Sequence, residues 1–66
     1  MQITFNDQPK IVAAGATLAD FLAPLGLAAR GIAVAVNDSV VARSTWPERR
    51  LAEGDRVLVI QATQGG

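Results

Sequence analysis

The two residues best placed to do chemistry are the last two, Gly65 and Gly66. Together they present an α-carboxylate with no side chain around it, and glycine, lacking a Cβ, crosses φ/ψ regions that other residues avoid. A tip of this kind can thread a narrow active site belonging to another protein, and the reactive group it delivers is the carboxylate of Gly66. With glycine at about 7% of residues, a Gly-Gly terminus arises by chance on the order of once in two hundred chains, and cloning can also leave one. Its weight comes from context: the last strong strand expected in the chain stops at Gln61, which leaves residues 62–66 as a flexible tail with little bulk at its tip.

The remaining inventory offers no self-contained chemistry. The chain has 66 residues, no cysteine and no histidine. It therefore lacks a thiol nucleophile, the usual zinc ligands, a disulfide staple and the side chain that most often serves as general acid or base near neutral pH. At this length one small domain is expected, with no room for an enzyme cleft. The carboxylates Asp7, Asp20, Asp38, Glu48, Glu53 and Asp55 fall mostly at expected turns and a helix cap, which favours structural roles. Trp46 reads as a core or rim anchor, since a domain with 5% aromatic residues needs its large side chains for burial.

Charge excludes further classes. Six basic residues balance six acidic ones for a formal net charge of zero, and phosphate backbones are bound by clustered Lys and Arg. The nearest cluster, Arg49-Arg50, is flanked by Glu48 and Glu53 and reads as a solvated turn. Lys10 is the only lysine, a poor basis for lysine-linked self-conjugation. The apolar runs Ile32 to Val36 and Val57 to Ile60 are far below the roughly 18 residues that span a bilayer. The first six residues lack a basic segment followed by an apolar one, so the default expectation is a cytoplasmic protein.

The elements that must position the tail follow from periodicity. Gln2 to Asn6 alternates, with Ile3 and Phe5 on one face, as a half-buried strand does. Asn6-Asp7-Gln8-Pro9 supplies turn formers, and a second, edge strand is expected around Lys10 to Ala13. Thr17 can cap a helix, with Asp20 reaching back as in a capping box. Leu18, Phe21, Leu22 and Leu25 then share a helical face. Pro24 ends or bends that helix near Ala23, Gly26 is its stop signal, and Leu27 to Gly31 is an irregular connection. Ile32 to Val36 is a strand closed by a tight turn at Asn37-Asp38-Ser39, with Val40-Val41-Ala42 returning beside it. Trp46-Pro47 begins an irregular stretch, Pro47 suiting the first turn of a short helix. Glu53-Gly54-Asp55 is a turn before the clearest strand, Arg56 to Gln61. This order packs as an α+β domain over residues 1–61, a mixed sheet of four to five strands with one short helix across one face. The last strand is apolar on both sides, Val57 and Val59 on one and Leu58 and Ile60 on the other, so one pair should face outward.

Taken together, Met1-Gln2-Ile3, Phe5-Asn6-Asp7-Gln8, Ala14-Gly15, Val36-Asn37, Arg43, Trp46, Glu53-Gly54-Asp55 and Gly65-Gly66 resemble the ThiS family, the sulfur carriers of thiamine biosynthesis within the ubiquitin-like β-grasp superfamily. The resemblance covers essentially the whole chain. Pro24, inside the helix, is a departure from the family's pattern. Gly-Asp before a final strand and a terminal Gly-Gly also occur in the small subunit of molybdopterin synthase, and the short length and the Phe5-Asn6-Asp7 opening favour the thiamine member.

The resemblance implies a mechanism acted out by partners. A ThiF-type adenylyltransferase uses ATP to convert the Gly66 carboxylate into an acyl-adenylate, from which AMP leaves readily. Because this chain has no cysteine, the sulfur that displaces AMP comes from elsewhere, a cysteine desulfurase or another persulfide donor. The resulting thiocarboxylate passes its sulfur to a ThiG-type thiazole synthase. Gly65 and Gln64 thread into the partner, no residue of the chain is catalytic or binds a metal, and the chain holds no cofactor of its own. The ubiquitin-like pattern also puts Val57 and Val59 under the helix, leaving Leu58 and Ile60 as an apolar docking patch. Two other functions fit the same residues: the sulfur-carrying small subunit of molybdopterin synthase, and a β-grasp module that binds partners without covalent chemistry.

Overall fold

The computed structural model describes residues 1–26 and 31–61. Five strands form one sheet: β1 (Gln2–Phe5), β2 (Gln8–Ile11), β3 (Ile32–Val36), β4 (Ser39–Val40) and β5 (Arg56–Gln61). The spatial order is β2-β1-β5-β3-β4. The first and last strands of the chain, β1 and β5, run parallel at the centre, and every other pairing is antiparallel. One helix, α1 (Leu18–Leu22), crosses a single face.

Two identical turns set the hairpins. Asn6 and Asp7 have φ of 49° and 69°, and Asn37 and Asp38 have φ of 52° and 73°. Paired left-handed residues mark the two-residue turn that matches strand twist, and Asn and Asp tolerate that region best after glycine. Because the first turn needs only Asn6-Asp7, β2 begins at Gln8, two residues before the expected Lys10, and ends at Ile11. Pro9 therefore lies inside the strand, opposite Thr4. It is accommodated because β2 is an edge strand and Pro9 points its nitrogen outward, where no ladder bond is lost. For the same reason the return strand β4 starts at Ser39 and stops at Val40, short of the expected Ala42.

The helix starts as its sequence predicts. Thr17 Oγ1 accepts from the Asp20 N–H and Asp20 Oδ2 accepts from the Thr17 N–H, both at 3.1 Å. Pro24 lies in a 3₁₀ turn over Ala23–Leu25 that follows α1 directly, and Gly26, at φ 72°, closes it. Leu25 does not join the packed face: it is 47% exposed, because the tighter 3₁₀ winding rotates it away from the stripe that Leu18 and Leu22 form. Positions 27–30 of the expected irregular connection lie outside the described residues.

A second 3₁₀ segment spans Arg43–Glu48, with Pro47 near its end and not in its first turn. Trp46 is the residue that holds it down, buried in the core with its indole Nε1–H donating to the Val41 carbonyl at 3.0 Å. The stretch beyond it is tied to the start of α1, since Leu18 N–H donates to the Arg49 carbonyl at 2.8 Å and Leu51 N–H to the Ala16 carbonyl at 2.9 Å. The core between helix and sheet comprises Ile3, Leu18, Leu22, Val34, Val36, Trp46, Leu51 and Val57. Phe5 and Phe21 meet edge to face at its border, 5.3 Å between centroids.

Candidate functional site

The strand that leads to the C-terminal tail is the best braced element of the sheet. β5 lies between β1 and β3, and the asparagine of each hairpin turn reaches across to it. From one side Asn6 Oδ1 accepts from the Val59 N–H at 2.9 Å, and from the other Asn37 Oδ1 accepts from the Arg56 N–H at 2.9 Å. The turn before β5 is tied down as well: Glu53 Oε1 accepts from the Gln2 N–H at 3.0 Å, and the Gly54 N–H donates to the Gln2 carbonyl at 2.8 Å.

Asp55 is the buried polar residue of this brace. Its Oδ1 accepts from Asn37 Nδ2 at 3.0 Å and its Oδ2 from the Ala52 N–H at 2.8 Å. Arg49 Nη1 lies 4.0 Å from Oδ2 with its side chain 37% exposed and donates to the Arg50 carbonyl at 2.6 Å, so Arg49 is partly solvated, less than a free turn residue. Arg50 remains exposed, as expected of a turn. The structural roles expected of the carboxylates are visible at Asp20 in the cap, Glu53 and Asp55 around β5, and Asp38 paired with Arg56 at 2.7 Å.

The outer face of the sheet carries the second half of the candidate site. Val57 is fully buried and Val59 packs against the core, whereas Leu58 is half-buried and Ile60 is 62% exposed. The register places Ala35 opposite Leu58 and Ala33 opposite Ile60, and Val40 of β4 opposite Ala35. Alanine methyls are short, so Leu58 and Ile60 stand above a flat floor, with Val40, 77% exposed, at its rim. Sequence reading picked out Leu58 and Ile60 but not Ala33, Ala35 or Val40. The signal was present in Ile32-Ala33-Val34-Ala35-Val36, where large residues alternate with alanine at the period of a strand. Along β5 the face changes from the Arg56–Asp38 ion pair to Leu58 to Ile60, so it is most apolar where the chain leaves the sheet.

Gln64, Gly65 and Gly66, the residues expected to enter a partner and carry the reactive carboxylate, lie outside the described residues, as does the whole segment 62–66. A shallow groove lined by Val12, Ala13, Ala16, Asp20, Phe21 and Pro24 lies beside α1. Its one ionisable residue, Asp20, is engaged in the helix cap, so the groove has no convergent polar groups to act on a substrate. Among the described residues no group of three or more His, Cys, Asp or Glu is placed to hold a metal ion, and no helix is long and apolar enough to cross a membrane.

A five-stranded mixed sheet with parallel central strands and one helix across one face defines a ubiquitin-like β-grasp protein. The crystal structure of ThiS, a thiamine biosynthesis protein of Geobacter metallireducens, superposes on it with a TM-score of 0.85, at 28% identity and over 100% of both chains. The ThiS family model matches residues 3–66, and the chain belongs to the ThiS family. It is 39% identical to the sulfur carrier protein ThiS of Escherichia coli, each chain being covered completely. It is also 38% identical over 66 residues to part of a thiazole synthase of Magnetococcus marinus, of which the similar region makes up 20%.

Proposed function

We propose that the chain is a sulfur carrier for thiazole formation in thiamine biosynthesis, a protein substrate that partner enzymes load and unload. The observation that carries this reading is similarity over all 66 residues, at 39% identity, to a sulfur carrier protein of the same family, with Gly65-Gly66 among the residues matched by the family model. In this reading the Gly66 carboxylate attacks the α-phosphorus of ATP in the site of a ThiF-type adenylyltransferase, releasing pyrophosphate. The outer sulfur of a persulfide on a cysteine desulfurase or another donor attacks the acyl carbonyl and displaces AMP, giving an acyl disulfide. A second thiol, supplied by the partner because this chain has no cysteine, cleaves the S–S bond and leaves as a disulfide, and the C-terminal thiocarboxylate so released passes its sulfur to a thiazole synthase. A thiazole synthase that contains a region similar to this chain supports the last pairing, since joining two activities in one polypeptide raises their effective concentration.

The division of labour within the chain follows. Gln64 and Gly65 enter the partner's channel, where a residue without a Cβ allows close approach of backbone to the active site. Leu58 and Ile60, on the floor of Ala33 and Ala35, dock against the partner's surface next to that channel. ATP binds to the adenylyltransferase and not to this chain.

The test is intact-protein mass spectrometry after incubation with the thiamine-pathway adenylyltransferase, ATP and a sulfur donor, with a chain lacking Gly66 as control. Replacement of one oxygen by sulfur, localised to the C-terminal peptide and absent from the control, is the expected result. An unchanged mass with a demonstrably active enzyme overturns the reading in favour of the molybdopterin synthase subunit or a non-covalent binding module. Extending the chain past Gly66 moves the carboxylate and abolishes loading, whereas a module that only binds tolerates the extension.

A further inference from the structure

β5 loses one of its two neighbouring strands partway along. Against β3 the register runs from Val36↔Val57 to Ile32↔Gln61, but against β1 it ends at Phe5↔Val57, because the chain turns away at Asn6 and Asp7, both in the left-handed region. Odd-numbered positions of β5 direct their backbone groups toward β1: the Asp55 and Val57 carbonyls accept from the Thr4 and Asn6 N–H groups at 3.0 and 2.9 Å. A residue in a parallel ladder bonds to the two residues that flank its partner, donating to the carbonyl of the one before and accepting from the N–H of the one after. Asn6 makes the first bond with its own N–H, to Val57, and the second with its side chain, Oδ1 accepting from the Val59 N–H at 2.9 Å. It thus completes a parallel pairing opposite Leu58, with a side-chain amide in place of the main-chain carbonyl that the turn has carried away.

The position matters because Leu58 is one of the two docking side chains. A two-stranded ribbon twists more strongly than strands within a wider sheet, and beyond Val57 only β3 runs beside β5 among the described residues. Leu58 and Ile60 lie two residues apart on one face, so added twist between them swings their side chains apart. The Asn6 side chain restrains the β1 side at this level, fixing the peptide that joins Leu58 to Val59. Water can satisfy the Val59 N–H when Asn6 is replaced, but a water molecule is not tethered to β1 and does not restrain twist. Asn37, the matching residue of the other turn, does not take this part: its Oδ1 accepts from the Arg56 N–H, at a level where β1 still pairs with β5.

We propose that Asn6 is a positioning residue for docking on the adenylyltransferase: its side chain stands in for β1 opposite Leu58 and so keeps Leu58 and Ile60 aligned as one contact surface. This deepens the carrier reading above and rests on it. The turn by itself does not call for a side chain at this position, since glycine adopts the left-handed region at least as readily as asparagine. Nor does the core, because Asn6 is exposed. What requires an acceptor there is the Val59 N–H, between the two docking residues.

The test is steady-state loading of the full chain by the thiamine-pathway adenylyltransferase with ATP and a sulfur donor. It compares Asn6→Gly, which keeps the turn and removes the acceptor, with Thr17→Ala, which weakens the fold at the helix cap and leaves β5 untouched. Asn6→Gly is expected to raise KM about fivefold with kcat unchanged, the signature of lost uniform binding, while Thr17→Ala changes neither. In a chain already carrying Leu58→Ala and Ile60→Ala, Asn6→Gly is expected to change KM by less than about twofold, because residues that act through one another are not additive. Asn6→Asp keeps an acceptor oxygen at the same reach and is expected to hold KM within about twofold of the unsubstituted chain. Trp46 fluorescence verifies the fold of each variant, and amide exchange at Val59 in the free chain is expected to quicken in Asn6→Gly but not in Asn6→Asp. An unchanged KM for Asn6→Gly overturns the proposal, as does a KM for Asn6→Asp as high as that of Asn6→Gly. An equal rise with and without the Leu58 and Ile60 side chains assigns Asn6 a direct contact with the enzyme and also overturns it. Failure of the unsubstituted chain to be loaded refutes the carrier reading instead, so the two failures are distinguishable.

Discussion

Replacing Asp55 by alanine is expected to remove about half or more of the stability of the domain. The carboxylate is 7% exposed and accepts two hydrogen bonds, from Asn37 Nδ2 at 3.0 Å and the Ala52 N–H at 2.8 Å. Hydrogen bonds to a charged group contribute about 1.5–3 kcal/mol each, and the two share one acceptor group, so their joint loss is about 3–5 kcal/mol. Arg49 adds little, because its guanidinium is 4.0 Å away and partly solvated. A chain of this length has about 3–10 kcal/mol in total. Asp55→Asn keeps the shape and one acceptor but turns an amide N–H₂ toward a donor, so about 2 kcal/mol is lost. The assay is urea unfolding followed by the fluorescence of Trp46, the single tryptophan, which is 4% exposed. With a slope of about 1 kcal/mol/M, the asparagine variant unfolds about 2 M earlier and the alanine variant about 3–5 M earlier. Midpoints within about 0.3 M of the unsubstituted chain for both variants would refute the assignment of Asp55 as the buried clamp at the start of β5.

Three further perturbations test the other links. Thr17→Ala removes the helix cap and is expected to cost about 1 kcal/mol, read as a fall in the same urea midpoint with an unchanged slope. Asn6→Gly keeps the left-handed turn but deletes the bond to Val59, for a loss of about 1 kcal/mol; Asn6→Ala also places a Cβ in that region and is expected to lose about 1–2 kcal/mol more. Equal midpoints for the two Asn6 variants would show that the turn is not strained. Ile60→Asp, on the exposed outer face, should leave stability within about 0.5 kcal/mol while weakening adenylyltransferase binding about tenfold by calorimetry; unchanged binding would remove Ile60 from the docking surface.

Most of the fold was legible in local pattern. The capping box at Thr17 and Asp20, the stop at Gly26 and the β-branched run of β5 are signals carried by residues within a turn or two of one another, and each element stands where they put it. Strand boundaries were less legible, because Asn6-Asp7 can open a loose loop or a two-residue turn. Only the left-handed geometry of both residues sets Gln8, and not Lys10, as the start of β2. Arg49 is partly solvated, as its flanking charges suggest, but the Asp55 carboxylate 4.0 Å from it comes from a turn that the sequence does not place beside it.

What the sequence determines by itself is the set of local choices: no thiol or imidazole to act as nucleophile or base, and a central strand apolar on both sides. What only the tertiary structure decided is which of those features meet. Alternation shows that Leu58 and Ile60 share a face, but the antiparallel register with β3 sets Ala35 and Ala33 beside them and keeps the neighbouring part of that face low. The half-paired edge of β5 likewise depends on β1 being only four residues long and turning away, with a single side chain, Asn6, finishing the ladder. Side-chain period is a property of one strand, whereas register and edge exposure belong to pairs of strands brought together from opposite ends of the chain, and no local pattern encodes them.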